Sequence, residues 1–144
     1  MIHARKYNIN TVRHGVSHLF NRVDHTEIIT RDMAGSIKFY TEILGFELTS
    51  NHKMDGSRGI TEISFLKLGD TSLELREFPD AEPIPSKPQV GYRMMAITVD
   101  DMPSAIKYLK EKCVTISREP MRLSESWRGE FLDNNGITLE IRQW

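Results

Sequence analysis

The sequence predicts an α+β protein of two tandem βαβββ modules that pair their sheets around a cavity. Three observations predict it. Four of the six prolines, Pro79, Pro83, Pro85 and Pro88, crowd into the stretch PDAEPIPSKPQVG. Proline removes a ladder donor and blocks helix interiors, so residues 79–91 read as a linker. The segments on either side repeat: shifting the first by 69 places Asp32 on Asp101, and Met33, Ile37, Tyr40 and Leu44 on Met102, Ile106, Leu109 and Cys113. Both segments also carry the same succession of strand-like runs around that helical stripe.

The elements follow in order. Residues 1–21 form a basic extension; Arg5, Lys6, Arg13 and then Arg22 all precede the first carboxylate, Asp24. The first module, 22–78, opens on the strand HTEIIT. Its helix starts at Asp32, an acid suited to the exposed N–H groups there, and shows apolar residues at i, i+4, i+7 and i+11. Gly45 closes that helix as a C′ residue. FELTS, ITEISFLKLG and SLELREF supply three further strands, the last entered through a Gly69-Asp70 turn. The second module, 92–144, repeats the plan with RMMAITV, a helix from Asp101, then VTIS, RGEFLD and ITLEIRQW, the last entered through Asn134-Asn135-Gly136. Cys113 stands on the second helix's apolar stripe, which predicts a buried, inert thiol. Where the first helix ends on glycine the second has Cys113, a costly choice if that position is left-handed.

Composition removes other classes. The chain has 144 residues, 39% hydrophobic and 27% charged, with a formal net charge of −1. That excludes wholesale disorder. No apolar run approaches the ~18 residues of a spanning helix, and no signal-peptide core opens the chain. One cysteine excludes a disulfide framework and a Cys-based zinc site. A cytoplasmic protein is expected. The basic arm lacks interleaved aromatics, so neither nucleic acid nor membrane is expected as a partner. His14 and His18 are i, i+4, but no HExxH glutamate accompanies them, so they are not read as a zinc site. His52, in a polar turn region, is expected to be exposed.

The runs VDH-x5-RD-x4-IKFYTEILGFE, LGDTSLEL, ITVDD-x4-AIKYLKEKCVTI and FLDNNGITLEI cover about 120 residues. In them the chain resembles the vicinal oxygen chelate superfamily, which includes glyoxalase I, methylmalonyl-CoA epimerase, extradiol dioxygenases, and the fosfomycin and bleomycin resistance proteins. The FYTEILGFE and DNNGITLEI segments are its more specific parts; Asn134 and Asn135 stand where the family's common D-P-D-G-N ending has Pro and Asp. The resemblance implies a glyoxalase-like fold and a divalent metal (Zn, Ni, Co, Mn or Fe) held from the first and last strands of each module. Carried over position by position, it implies His25, Glu74 and Glu140 as ligands, with Glu140 also the catalytic base. Met94 occupies the fourth position, where metal-dependent members often carry a His. A homodimer with a small-molecule substrate is implied as well.

Strand parity points to the same side chains. Side chains alternate faces along a strand. If Ile28, Leu73, Leu75, Met95, Ile97, Leu139 and Ile141 face the helices, the other face carries His25, Glu27, Glu74, Arg76, Met94, Glu140 and Arg142. A face this charged is wet, paired or liganded, because unpaired buried charge is costly. One imidazole with carboxylates can hold a divalent metal and leave positions open. Alternatively, Glu–Arg pairs involving Arg76 and Arg142 neutralise the face and leave a metal-free cleft. Arginines on such a face suit a carboxylate or phosphate on the ligand. Trp127 and Arg128, placed in a loop ahead of a strand, are candidates to roof the cavity. The function expected is therefore a glyoxalase-like metal-dependent lyase or isomerase acting on a small dicarbonyl or oxoacid-derived substrate. The alternative is a metal-free small-molecule-binding protein of the bleomycin-resistance type.

Overall fold

The structure is a computed structural model and describes residues 22–144. The basic extension and the His14–His18 pair lie outside the described residues. Eight strands and two α-helices follow in the order β1 (Thr26–Thr30), α1 (Met33–Lys38), β2 (Glu47–Lys53), β3 (Glu62–Leu68), β4 (Thr71–Glu77), β5 (Ala96–Thr98), α2 (Met102–Glu111), β6 (Ile116–Leu123), β7 (Ser126–Leu132) and β8 (Thr138–Gln143). They form two four-stranded sheets of the same topology, β1-β4-β3-β2 and β5-β8-β7-β6. In each, the first strand runs parallel to the last, and the other pairs are antiparallel. No described helix is long and apolar enough to cross a membrane.

The alternation expected from sequence places the core. Ile28, Leu73, Leu75, Leu139 and Ile141 are buried against the helices, and Met95, Ile97 and Val99 pack beside them. Both helices start where an acid caps them. Asp32 accepts from the Gly35 N–H at 2.9 Å, and Asp101 from the Ser104 N–H at 3.1 Å. Some strand limits differ from the expectation. β6 runs on through Pro120, past the VTIS run. Its pairing with β7 is broken by bulges on either side of Arg118, which spare the proline a ladder position. Gly129 lies under this irregular stretch; a Cβ there would come within 3.2 Å of the Arg118 carbonyl oxygen.

The helices differ by one residue. The first continues from α1 into a π-helical turn over Phe39–Ile43, which α2 lacks. A π-turn accommodates one extra residue. Past it the repeat offset falls from 69 to 68, so Cys113 corresponds to Gly45 rather than to Leu44. Both are left-handed, Gly45 with φ 76° and Cys113 with φ 59°. The expectation of a buried Cys113 is thereby corrected: the residue lies beyond the apolar stripe and is exposed. Cys113→Gly is expected to stabilise the protein by about 0.5–1 kcal/mol, because a left-handed L-residue costs roughly 1–2 kcal/mol and glycine's entropy offsets part of that. A rise of about 2 °C in thermal midpoint would report it.

The two modules are joined by the β7–β8 turn. Asp133 is buried; its Oδ1 accepts from the Asn135 and Ile137 N–H groups at 2.8 Å each, and its Oδ2 accepts from the Tyr40 hydroxyl at 3.1 Å. The Asn135 amide donates to Ser36 Oγ at 2.9 Å and accepts from Thr30 Oγ1 at 2.9 Å, while Asn134 Nδ2 reaches Ser36 Oγ at 3.1 Å. Asn134 and Asn135 thus use their side-chain amides to seat the second module's turn on β1 and α1.

Candidate metal centre

β1 and β4 are neighbours, with Glu27 directly opposite Glu74. On the face away from the helices this register gathers His25, Glu27, Glu74 and Arg76. His25 Nε2 lies 3.0 Å from Glu74 Oε2, and Arg76 Nε lies 2.6 Å from Glu74 Oε1 and 3.0 Å from Glu27 Oε2. Glu74 is 3% exposed, so its charge is held by these partners rather than by water. The Glu74 hydrogen bond raises the Arg76 guanidinium above its already high ordinary value. The Phe65 ring meets the His25 ring edge-on at 6.2 Å.

The other imidazole nitrogen is also engaged. His25 Nδ1 lies 3.1 Å from Asp24 Oδ2, and Arg22 holds the other Asp24 oxygen at 3.0 Å. The His25 hydrogen bond, with the Arg22 charge, lowers the Asp24 carboxyl below its usual range. A carboxylate on Nδ1 orients a histidine so that Nε2 faces the ligand position, the outer-shell arrangement of many histidine metal sites. Asp24 was not anticipated from the sequence, although it directly precedes His25.

Among the described residues, His25, Glu27 and Glu74 each offer a ligand atom with all three lying within 4.8 Å of one another. One imidazole and two carboxylates fit a borderline or hard divalent ion. Glu140 is not in this group. It lies on β8 in the second sheet, opposite Ala96 on β5 and Glu130 on β7, and its nearest cation among the described residues is Arg142 at 3.9 Å. Of the three ligands implied by resemblance, the structure brings His25 and Glu74 together and adds Glu27. Met94 stands beside β5, with Arg93 Nη1 donating to its sulfur at 2.9 Å.

A cleft of about 660 Å³ runs along the junction of the modules, lined by Glu27 and Ile29, Phe78 and Ile84, and Tyr92 and Met94. Trp127 does not line it. Its register partner is Gln143, which places it on the α2 face of the second sheet. There it borders a separate pocket of about 440 Å³ with Met102, Pro103, Ile106 and Pro120. The residue belongs to β7 rather than to a loop. Arg128, one residue on, faces the opposite side with Arg142.

A sequence model described as the Glyoxalase/Bleomycin resistance protein/Dioxygenase superfamily matches residues 22–141. The chain belongs to this superfamily. The uncharacterized protein YaeR of Escherichia coli is 34% identical over 127 residues, covering 83% of this chain and 94% of its own. The crystal structure of a glyoxalase family protein from Enterococcus faecalis superposes with a TM-score of 0.75 at 26% identity, covering 86% of this chain and 98% of the other. The trypanothione-dependent glyoxalase I of Leishmania major superposes with a TM-score of 0.69 at 26% identity, covering 86% and 87%. Superfamily members often bind divalent metals, and this one has a His/Glu/Glu group able to hold one.

Proposed function

We propose that the protein is a divalent-metal-dependent lyase or isomerase acting on a small dicarbonyl or oxoacid-derived substrate. The observation that carries this reading is the convergence of His25, Glu27 and Glu74 with the His25 Nδ1 tied to Asp24. A divalent metal at that position supplies Lewis-acid stabilisation of negative charge on the substrate's oxygens. Glu140 is the proposed base, accepting a proton from one carbon and returning it to its neighbour. Because Glu140 is outside the His25 group, the active form proposed is a homodimer, in which the β8 face of one copy completes the centre of the other. Apolar side chains left exposed near the junction, Ile29, Ile84 and Tyr92, support such an association.

The test has two parts. Purified protein is expected to contain about one divalent ion per chain. Glu140→Gln should lower turnover at least about 100-fold while leaving the metal in place. Mixing the inactive Glu74→Gln and Glu140→Gln variants should then restore about a quarter of wild-type activity, since half of the dimers are mixed and each carries one intact site. No recovery on mixing rejects the shared site. A second reading, metal-free ligand binding, is favoured by one observation, the Arg76 bridge between Glu27 and Glu74. It predicts protein free of metal and ligand stabilisation that EDTA does not alter.

A further inference from the structure

The second sheet's charged face is built differently from the first. On the β7–β8 ladder, Glu130 stands directly opposite Glu140, and Arg128 directly opposite Arg142. Like charges in opposed positions repel, so each pair needs a counter-charge. Glu130 has one: Arg93 Nη2 and Arg118 Nη2 both lie 3.1 Å from its Oε1. The arginine pair has no equivalent. Among the described residues no carboxylate lies within 4.0 Å of Arg128, and the carboxylate nearest Arg142 is Glu140 at 3.9 Å.

Both guanidinium groups are nevertheless held in place. Arg142 lies over the Trp144 ring, 3.6 Å from its centroid, and its Nε is buried without a hydrogen-bond partner among the described residues. Arg128 Nε donates to Ser126 Oγ at 3.0 Å, and Ser126 is itself buried. Stacking and this hydrogen bond fix the two forks without consuming their terminal N–H groups.

We propose that Arg128 and Arg142, supported by Trp144, form an anion subsite that takes a carboxylate or phosphate group of the small-molecule ligand. The subsite rests on the reading of the charged sheet faces as the ligand site, and it gives that ligand a chemical class. Two preorganised arginine forks suit an oxyanion with two or more oxygens, which bridges them and cancels their repulsion. Glu140, two residues before Arg142 on the same face of β8 and 3.9 Å from its Nη1, then sits beside the bound group, so the subsite orients the ligand toward the proposed base.

The probes are inorganic phosphate and malonate, titrated calorimetrically into the EDTA-treated full chain at matched ionic strength, with chloride as the reference anion. Saturable binding is expected for at least one probe, and the tighter of the two names the ligand group. Arg128→Gln and Arg142→Gln should each weaken it about tenfold or more. Arg142→Lys, which keeps the charge and loses the fork, should weaken it too, which covers the case of an unfolded Arg142→Gln. Lys107→Gln, which removes an exposed charge from α2, should leave binding unchanged. His25→Ala should also bind the probe normally, so failure of the metal centre and failure of the anion subsite are separately visible. Absence of saturable binding, or equal weakening by Lys107→Gln, overturns the proposal.

Discussion

Glu74→Gln is expected to lower divalent-metal affinity by more than about 100-fold, since loss of even an outer-shell partner costs 10–100-fold. Glu74 is the hub of the centre, meeting His25 through one oxygen and Arg76 through the other. Glutamine keeps the shape and removes the charge, and Arg76 retains Glu27 as a partner. Competition with a chromogenic chelator measures the loss. Glu140→Gln is the matched control, because Glu140 is outside the group; if both variants lose metal equally, the assignment of the ligands to the first sheet fails.

The second large effect is on stability. Asp133→Ala removes the acceptor for two backbone N–H groups and the Tyr40 hydroxyl, in a buried place, and should cost about 3–5 kcal/mol. For a chain of this size that is a fall of about 10 °C in midpoint. Tyr40→Phe isolates one of the three bonds and adds a pH signature. Burial, reinforced by the Asp133 charge, pushes the Tyr40 phenol above its usual value. The native chain therefore keeps a proton that the unfolded chain releases near pH 10, so this contribution is complete below about pH 10 and is lost as pH rises further. Urea unfolding between pH 7 and 11 should show wild-type stability falling at the alkaline end and a shallower fall in Tyr40→Phe. Equal slopes would mean that the phenol is not protected.

Much of the fold was legible because it depends on local chemistry. Asp32 and Asp101 mark helix starts, Gly45 marks a left-handed end, and period-two alternation separates Leu73 and Leu75 from Glu74 and Arg76. The misses arise where one extra residue or one broken bond shifts the count. The π-turn at Phe39–Ile43 is invisible in composition, and it alone misplaced Cys113. Proline is disfavoured inside a strand, and the bulges that admit Pro120 to β6 follow only from tertiary pairing. Trp127 follows a polar turn, which hides the true start of β7 at Ser126; counting back from Glu130 puts it on the helix side.

At the candidate site, parity separated the two faces correctly but carried no information on distance. It placed His25, Glu74 and Glu140 on like faces without showing that two belong to one sheet and the third to the other. Asp24 escaped because it lies ahead of β1, where alternation does not apply. The opposition of Arg128 and Arg142 is a matter of register, set by the β7–β8 turn.

The two sheets descend from one plan yet present opposite electrical signs. Around His25 the carboxylates outnumber the cations in direct contact, whereas around Glu140 four arginines face two glutamates. Two copies of the chain meeting like face to like face would set negative against negative and positive against positive. Meeting unlike face to unlike face, each copy supplies what the other lacks. In the homodimer proposed above, the divergence of the repeat would double as an orientation code: it would favour the one pairing that brings His25 of one copy and Glu140 of the other toward the same ligand.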